Sequence, residues 1–316
     1  MYHYVREISN SRYPDIKGLE TKLFKRQLEY LQANYSIITM EELVASLEES
    51  YELPDHSVLL TFDDGYLDHY RDAFPILDSM GIQGSFFVPV KPLLESRVLD
   101  VNKIHFLLAS APLSKLLASI KDFLGGVKNE PGIQSFDHYY ESLAKPNRFD
   151  TAEVIFVKRL LQHKLVEPYR SELIDRLFET YFHTSEKILS KELYLTLDQC
   201  RCLIKNGMHI GAHTYDHYWL NKISEEEQVR QFKLNLEFLD DIRSAKRTMA
   251  YPFGGYNSTT LKLMKKFNFS TGFTTRVDKV KDLKTASKYE LPRLDTNDIP
   301  NEQRQFQKAL QNPLSL

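Results

Sequence analysis

The sequence predicts an α/β protein built on a parallel sheet, in a chain long enough to close that sheet into a barrel. Three observations carry this. Short apolar, β-branched runs alternate with helical patterns along most of the 316 residues. The chemically unusual residues, Asp63 and Asp64, His213 and His217, Pro252 to Gly255, and Arg293 and Asp295, each fall at or just after the end of a predicted strand, the edge where a parallel barrel assembles its sites. Finally, residues 91 to 190 break the rhythm: they are rich in Leu, Lys, Glu and Phe at helical spacing and poor in strand signals. This predicts a single domain over residues 1–316 with a mostly helical insertion at about 91–190, whose "LDVNKIHFLLAS" either covers a site or packs.

Taken in order, a short strand "MYHYV" precedes a helix over about 21–34, with Leu23, Phe24, Leu28 and Leu31 on one face. "YSIIT" reads as a strand, and Thr39 with Glu42 forms a capping-box pattern that opens the next helix. "SVLLTF" is a strand, residues 67–80 a helix stopped at Gly81, and "GSFFVP" a strand. After the insertion, Thr196 with Gln199 starts a helix that Gly207 ends, and "MHIGAH" is a strand. Ser224 with Glu227 opens a long helix, "TMAYPF" is a strand, "STTLKLMKKF" a helix, and "STGFTT" and "YELPRL" are strands.

Composition removes several function classes. The formal net charge is −2 and no Lys/Arg block stands out, so nucleic acid is not an expected partner. Cys200 and Cys202 are the only cysteines, in a C-x-C spacing that fits neither a zinc ribbon nor a disulfide framework. No segment approaches 18 uninterrupted apolar residues, and "MYHYVREISN" lacks an apolar signal core. The expectation is a soluble cytoplasmic protein with no stable membrane insertion.

The chemistry starts at "SVLLTFDDGY", where a buried-type strand runs into two adjacent carboxylates. Their repulsion calls for a cation or a proton. "HTYDH" places His213 and His217 four residues apart, a spacing that lets two imidazoles meet at one ion. Alone, the pair reads first as two surface or core histidines in ordinary hydrogen bonds. Joined by one of the carboxylates, it becomes a two-His, one-Asp set that leaves a coordination position open.

"TFDDGY", "GAHTYDH" and "AYPFGG", in that order and at those separations, resemble the NodB-homology polysaccharide deacetylases, the fourth carbohydrate esterase family. The resemblance covers residues 1 to about 90 and 195 to about 296. It implies a distorted (β/α) barrel and a divalent metal, Zn²⁺ first with Co²⁺, Ni²⁺ or Mn²⁺ as alternatives, used to remove acyl groups from amino sugars. On these motifs it makes Asp63 the general base, Asp64, His213 and His217 the metal ligands, and the amide of Phe253, in the usual tyrosine place, an oxyanion donor.

Two positions depart from the family pattern. Ala250 stands where the family often has an arginine that orients the base, and Arg293 in "LPRLD" is the candidate substitute; its plainer reading is a surface ion pair. Nothing after residue 217 is a histidine, although the family commonly places its proton donor late in the chain. "MYHYV" is similar to a permuted subgroup in which an N-terminal Tyr-His supplies this group, which makes His3 the candidate acid against the reading of a frayed terminal residue. Tyr66, Trp219 and Tyr256 lie beside motifs and either stack on a sugar ring or belong to the core. His209 and His69 read as structural, with an outer-shell role open for His69.

The expected function is therefore metal-dependent removal of an N-acetyl group from an amino sugar, with a carbohydrate as substrate. For a cytoplasmic chain, a nucleotide- or lipid-linked precursor or a small saccharide is the expected substrate. The alternatives are a catalytically silent glycan-binding barrel, or deformylation or O-deacetylation with the same machinery.

Overall fold

The computed structural model describes residues 1–49, 51–147 and 150–299. The chain separates into two compact units. One comprises Met1–Glu7, Gly18–Glu95 and the described residues from Lys191 onward; the other comprises Ile8–Lys17 and Ser96–Ser190.

The first unit is a distorted (β/α) barrel. Its strands are β1 (Ser36–Ile38), β2 (Ser57–Leu59), β3 (Thr61–Phe62), β4 (Ser85–Val88), β5 (His209–Ala212), β6 (Thr248–Ala250) and β7 (Thr271–Phe273). β1 and β2 pair in parallel, and β3 to β7 form a parallel sheet in chain order. Tyr2 bridges Phe62 outside β3 and Leu291 bridges Phe273 outside β7. The backbone nitrogen of Met1 donates to the Leu294 carbonyl at 2.9 Å, so the two flanking segments meet.

Parallel strands covered on both faces have apolar runs rather than alternation, and all four residues of β4 are buried. One face of the sheet, with Phe62, Phe86, Val88, Ile210 and Met249, packs with the helix residues Phe24, Leu28, Leu77, Leu203 and Phe232. The opposite parity contributes Phe87, Ala250 and Phe273, which pack with Met40, Leu43 and Val44 of the helix Met40–Glu48.

Helix starts follow their caps. Thr39 accepts from the Glu42 amide while Glu42 accepts from the Thr39 amide, and Thr196 with Gln199 repeats this box at the helix Leu197–Lys205. Ser224 caps Glu225–Asp241 by accepting from the Glu227 amide. Each such cap is worth about 1 kcal/mol.

Three elements differ from the sequence reading. "SVLLTF" divides at Leu60 because its halves pair with different neighbours, β2 with β1 and β3 with β4. The helix expected over 67–80 has a widened turn at His69–Ala73 before the helix Phe74–Ser79. Pro75 explains this, since it lacks an N–H and would crowd the Arg71 carbonyl in a regular helix. "YELPRL" keeps only the bridge at Leu291, because Pro292 has no amide to extend a ladder.

Among the described residues, 91–193 contains helices and no strand. Within the second unit, Tyr13 packs edge-on against Phe106 at 4.9 Å and stacks with Phe182 at 5.5 Å. The buried Lys103 ammonium is neutralised by Asp175 at 2.6 Å and Glu186 at 3.2 Å. No described helix is long and apolar enough to cross a membrane.

Candidate active site

The motif residues come together at the carboxyl ends of the strands of the first unit. Asp63 and Asp64 follow β3, His213 follows β5, Phe253 lies in the turn after β6, and Arg293 follows the bridged Leu291. Among the described residues, eight non-glycine residues have positive φ, and four of them, Asp64, Thr214, His217 and Phe253, lie in the three motif loops. Strain of about 1–3 kcal/mol at each such position persists only where surrounding structure imposes it, typically around functional sites. Gly65 is required at its own position: its φ is +60°, and a Cβ there would meet Val88 Cγ1 at 2.9 Å.

Asp63 is buried and bound by both arms of a guanidinium. Arg293 Nη1 donates to Oδ1 at 2.8 Å and Nη2 to Oδ2 at 2.7 Å. The fork is itself fixed, because Arg293 Nε donates to the Thr274 carbonyl at 2.9 Å and Nη1 also reaches Thr61 Oγ1 at 3.3 Å. Burial pushes the Asp63 carboxyl up, but Arg293, reinforced by His213, outweighs it and holds the group at about 2.

Asp64, His213 and His217 are buried, with one donor atom from each lying within 4.8 Å of the others. Asp64 Oδ1 is 3.3 Å from His213 Nε2 and 3.1 Å from His217 Nε2. His213 Nδ1 donates to the Ala250 carbonyl at 2.7 Å, which leaves Nε2 of the neutral ring as an acceptor facing an acceptor oxygen. A proton or a cation between them removes that conflict, so the donor set fits a divalent ion. Burial raises the Asp64 carboxyl, yet its bonds with the two histidines hold it well below the carboxylate range. Burial lowers both imidazoles; contact with Asp64 leaves His213 net raised, whereas His217 stays lowered.

A shell of buried polar groups fixes the "HTYDH" loop. Gln231 Oε1, from the helix Glu225–Asp241, accepts from the amides of Tyr215 at 2.8 Å and Asp216 at 2.9 Å. The Asp216 carboxylate takes Gln231 Nε2 at 2.7 Å, Lys91 at 2.8 Å and Arg230. These positioning residues escaped the sequence reading. The signal available was a row of uncharged amides, Gln228, Gln231 and Asn235, at helical spacing along the helix face that is buried.

His3 is exposed and lies within electrostatic reach of both Asp63 and Asp64. Its backbone is anchored by His69, whose Nε2 lies 2.8 Å from the His3 carbonyl; His69 is buried, which pushes its imidazole down to about 4, so it donates as a neutral ring. Phe253 has φ +57°, and its amide makes no hydrogen bond among the described residues. Its ring lies 4.7 Å from His217 and stacks on Trp219 at 4.8 Å and 5°.

One expected substrate contact is corrected and a second narrowed. Tyr66 is fully buried between Tyr4 and Tyr194, so it has no face for a sugar; its hydroxyl donates to Asp64 Oδ2 at 2.6 Å. Tyr256 is half-buried; it stacks one face on Tyr251 at 5.0 Å and donates to Glu290 at 2.8 Å, which commits its hydroxyl and that face. His209 is buried against Thr248 Oγ1 at 2.7 Å, and Asp295 caps Thr296–Asp298. Both are structural.

The polysaccharide deacetylase family model matches residues 176–272. The Bacillus subtilis (strain 168) protein YxkH, itself assigned to the polysaccharide deacetylases, is 21% identical over 277 residues; the match takes in 87% of this chain and 63% of that protein. Among solved structures, IcaB from Ammonifex degensii is 20% identical with a TM-score of 0.54, covering 98% of this chain and 94% of its own. The Streptococcus pyogenes deacetylase PplD, solved in complex with acetate, is 19% identical with a TM-score of 0.53, covering 93% and 88%. At these identities the structural likeness speaks for the fold.

Proposed function

We propose that the chain, whose residues 176–272 match the polysaccharide deacetylase family model, is a metal-dependent hydrolase of that family, removing an N-acetyl group from an amino sugar in a glycan or glycan precursor. One observation carries the reading: an arginine-clamped carboxylate, Asp63, lies next in sequence to Asp64 of a buried Asp-His-His set at the strand ends.

Asp64, His213 and His217 would hold the divalent ion, Zn²⁺ first, with Co²⁺, Ni²⁺ or Mn²⁺ as alternatives. When bound, such an ion polarises the acyl carbonyl and acidifies water. Asp63, kept anionic by Arg293, takes the proton from the attacking water as its oxygen bonds to the acyl carbon. The Phe253 amide donates to the oxyanion that develops on the carbonyl oxygen. His3 protonates the amide nitrogen as the C–N bond breaks, so the products are acetate and a free amino sugar. A cytoplasmic location belongs to the same proposal and is checked by cell fractionation.

The test is acetate release from a panel of N-acetylhexosamine oligosaccharides, nucleotide sugars and lipid-linked precursors by metal-loaded protein, with Asp63→Asn as control. Release by the wild type and not by the variant is expected. No release from any substrate while metal is bound would shift the reading to the silent glycan-binding barrel; release of formate, or of acetate only from O-acetylated sugars, would change the acyl chemistry.

A further inference from the structure

Tyr66 sits two residues after Asp64, and its environment allows it one position. Its ring stacks on Tyr4 at 4.0 Å and 16°, on Tyr194 at 6.2 Å and 19°, and meets His69 edge-on at 5.5 Å. The preceding Gly65, pressed against Val88, fixes the backbone that delivers it. The hydroxyl ends 2.6 Å from Asp64 Oδ2, while Oδ1 lies 3.3 Å from His213 Nε2 and 3.1 Å from His217 Nε2.

A carboxylate can ligate a cation through one oxygen or two. With Oδ2 occupied by a short hydrogen bond from an immobile phenol, Oδ1 is the oxygen left for an ion. We propose that Tyr66 is a positioning residue of the metal centre, one that makes Asp64 a single-oxygen ligand through Oδ1. The inference rests on the reading of Asp64, His213 and His217 as metal ligands. Outer-shell partners of this kind tune affinity because they orient the ligand before the ion arrives and preserve its geometry afterwards.

The test is calorimetric titration of the metal-free protein with Co²⁺ and Zn²⁺. Tyr66→Phe keeps the ring in its stack and deletes the donor; it is expected to weaken affinity by about 10–100-fold and to alter the Co²⁺ absorption spectrum as Asp64 changes its mode of ligation. Tyr70→Phe, which removes a phenol bonded to Cys202 instead, is expected to leave both unchanged. Affinity within about threefold of the wild type in Tyr66→Phe would overturn the role of Tyr66 and leave the metal site standing. No binding by the wild type would overturn the metal site and the role of Tyr66 with it. Should Tyr66→Phe fail to fold, the structure of the Co²⁺-loaded wild type decides: ligation by both Asp64 oxygens refutes the inference, and ligation by Oδ1 with Tyr66 on Oδ2 supports it.

Discussion

Replacing Arg293 with Met keeps much of the side-chain volume and removes the counter-ion of a buried carboxylate. A pKa unit corresponds to about 1.4 kcal/mol, so holding Asp63 at about 2 instead of an ordinary 3.8 stabilises its ionised form by about 2–3 kcal/mol. Deleting one partner of a buried pair costs more, about 3–5 kcal/mol, because the surviving charge is left in a poor solvent. The sign with pH follows from the depressed carboxyl: its contribution is fully present above the unfolded pKa near 4 and disappears as pH falls through about 2. Urea unfolding at a series of pH values is the assay. Arg293→Met is expected to lose about 3–5 kcal/mol at pH 7 and to lack the wild type's decline between about pH 4 and 2. Adding Asp63→Asn to Arg293→Met is expected to restore part of the loss, since no charge then remains to be paired. A deficit under about 1 kcal/mol at pH 7, or a double variant less stable than Arg293→Met, would refute the argument that charge pairing, and not packing, makes Arg293 important.

Further outcomes follow from the same geometry. His3→Ala is expected to lower kcat by about 10²–10⁴-fold with the fold and metal affinity intact, because His3 is exposed; unchanged turnover would transfer the acid role elsewhere. Gln231→Ala orphans the buried amides of Tyr215 and Asp216, so denaturation should show a loss of about 1–3 kcal/mol for each, and metal affinity should fall as the histidine loop relaxes. A variant as stable as wild type would mean that water replaces the glutamine.

The strand-end location of Asp63, Asp64 and His213 was readable from sequence because strand and turn chemistry are local: an apolar run, two carboxylates and a glycine can fold in few ways. Capping at Thr39, Thr196 and Ser224 was readable for the same reason. What could not be read depends on how distant elements dock. The partner of Arg293 lies 230 positions away; sequence could nominate the contact with Asp63 but not its two-pronged geometry. Tyr66 could as readily have pointed at solvent as into the stack of Tyr4 and Tyr194. Gln231 reaches the histidine loop only because the helix Glu225–Asp241 packs with that particular side inward. Proline decided two misread elements: Pro75 widened a turn, and Pro292 ended a ladder.

The helical unit is stitched into the barrel's chain at two places, since Ile8–Lys17 belongs to it as well as Ser96–Ser190. The polypeptide therefore passes between the two bodies four times. Excision of Ser96–Ser190 as a cassette would strand Tyr13 without Phe106 and Phe182, on a ten-residue tether that begins five positions after His3. A minimal catalytic core has to be engineered with two deletions, and the one nearer the amino terminus resets the span between His3 and the first barrel helix, Thr21–Asn34. Evolutionary gain or loss of the helical body faces the same constraint, because it must alter the segment that carries His3 in step with the larger change.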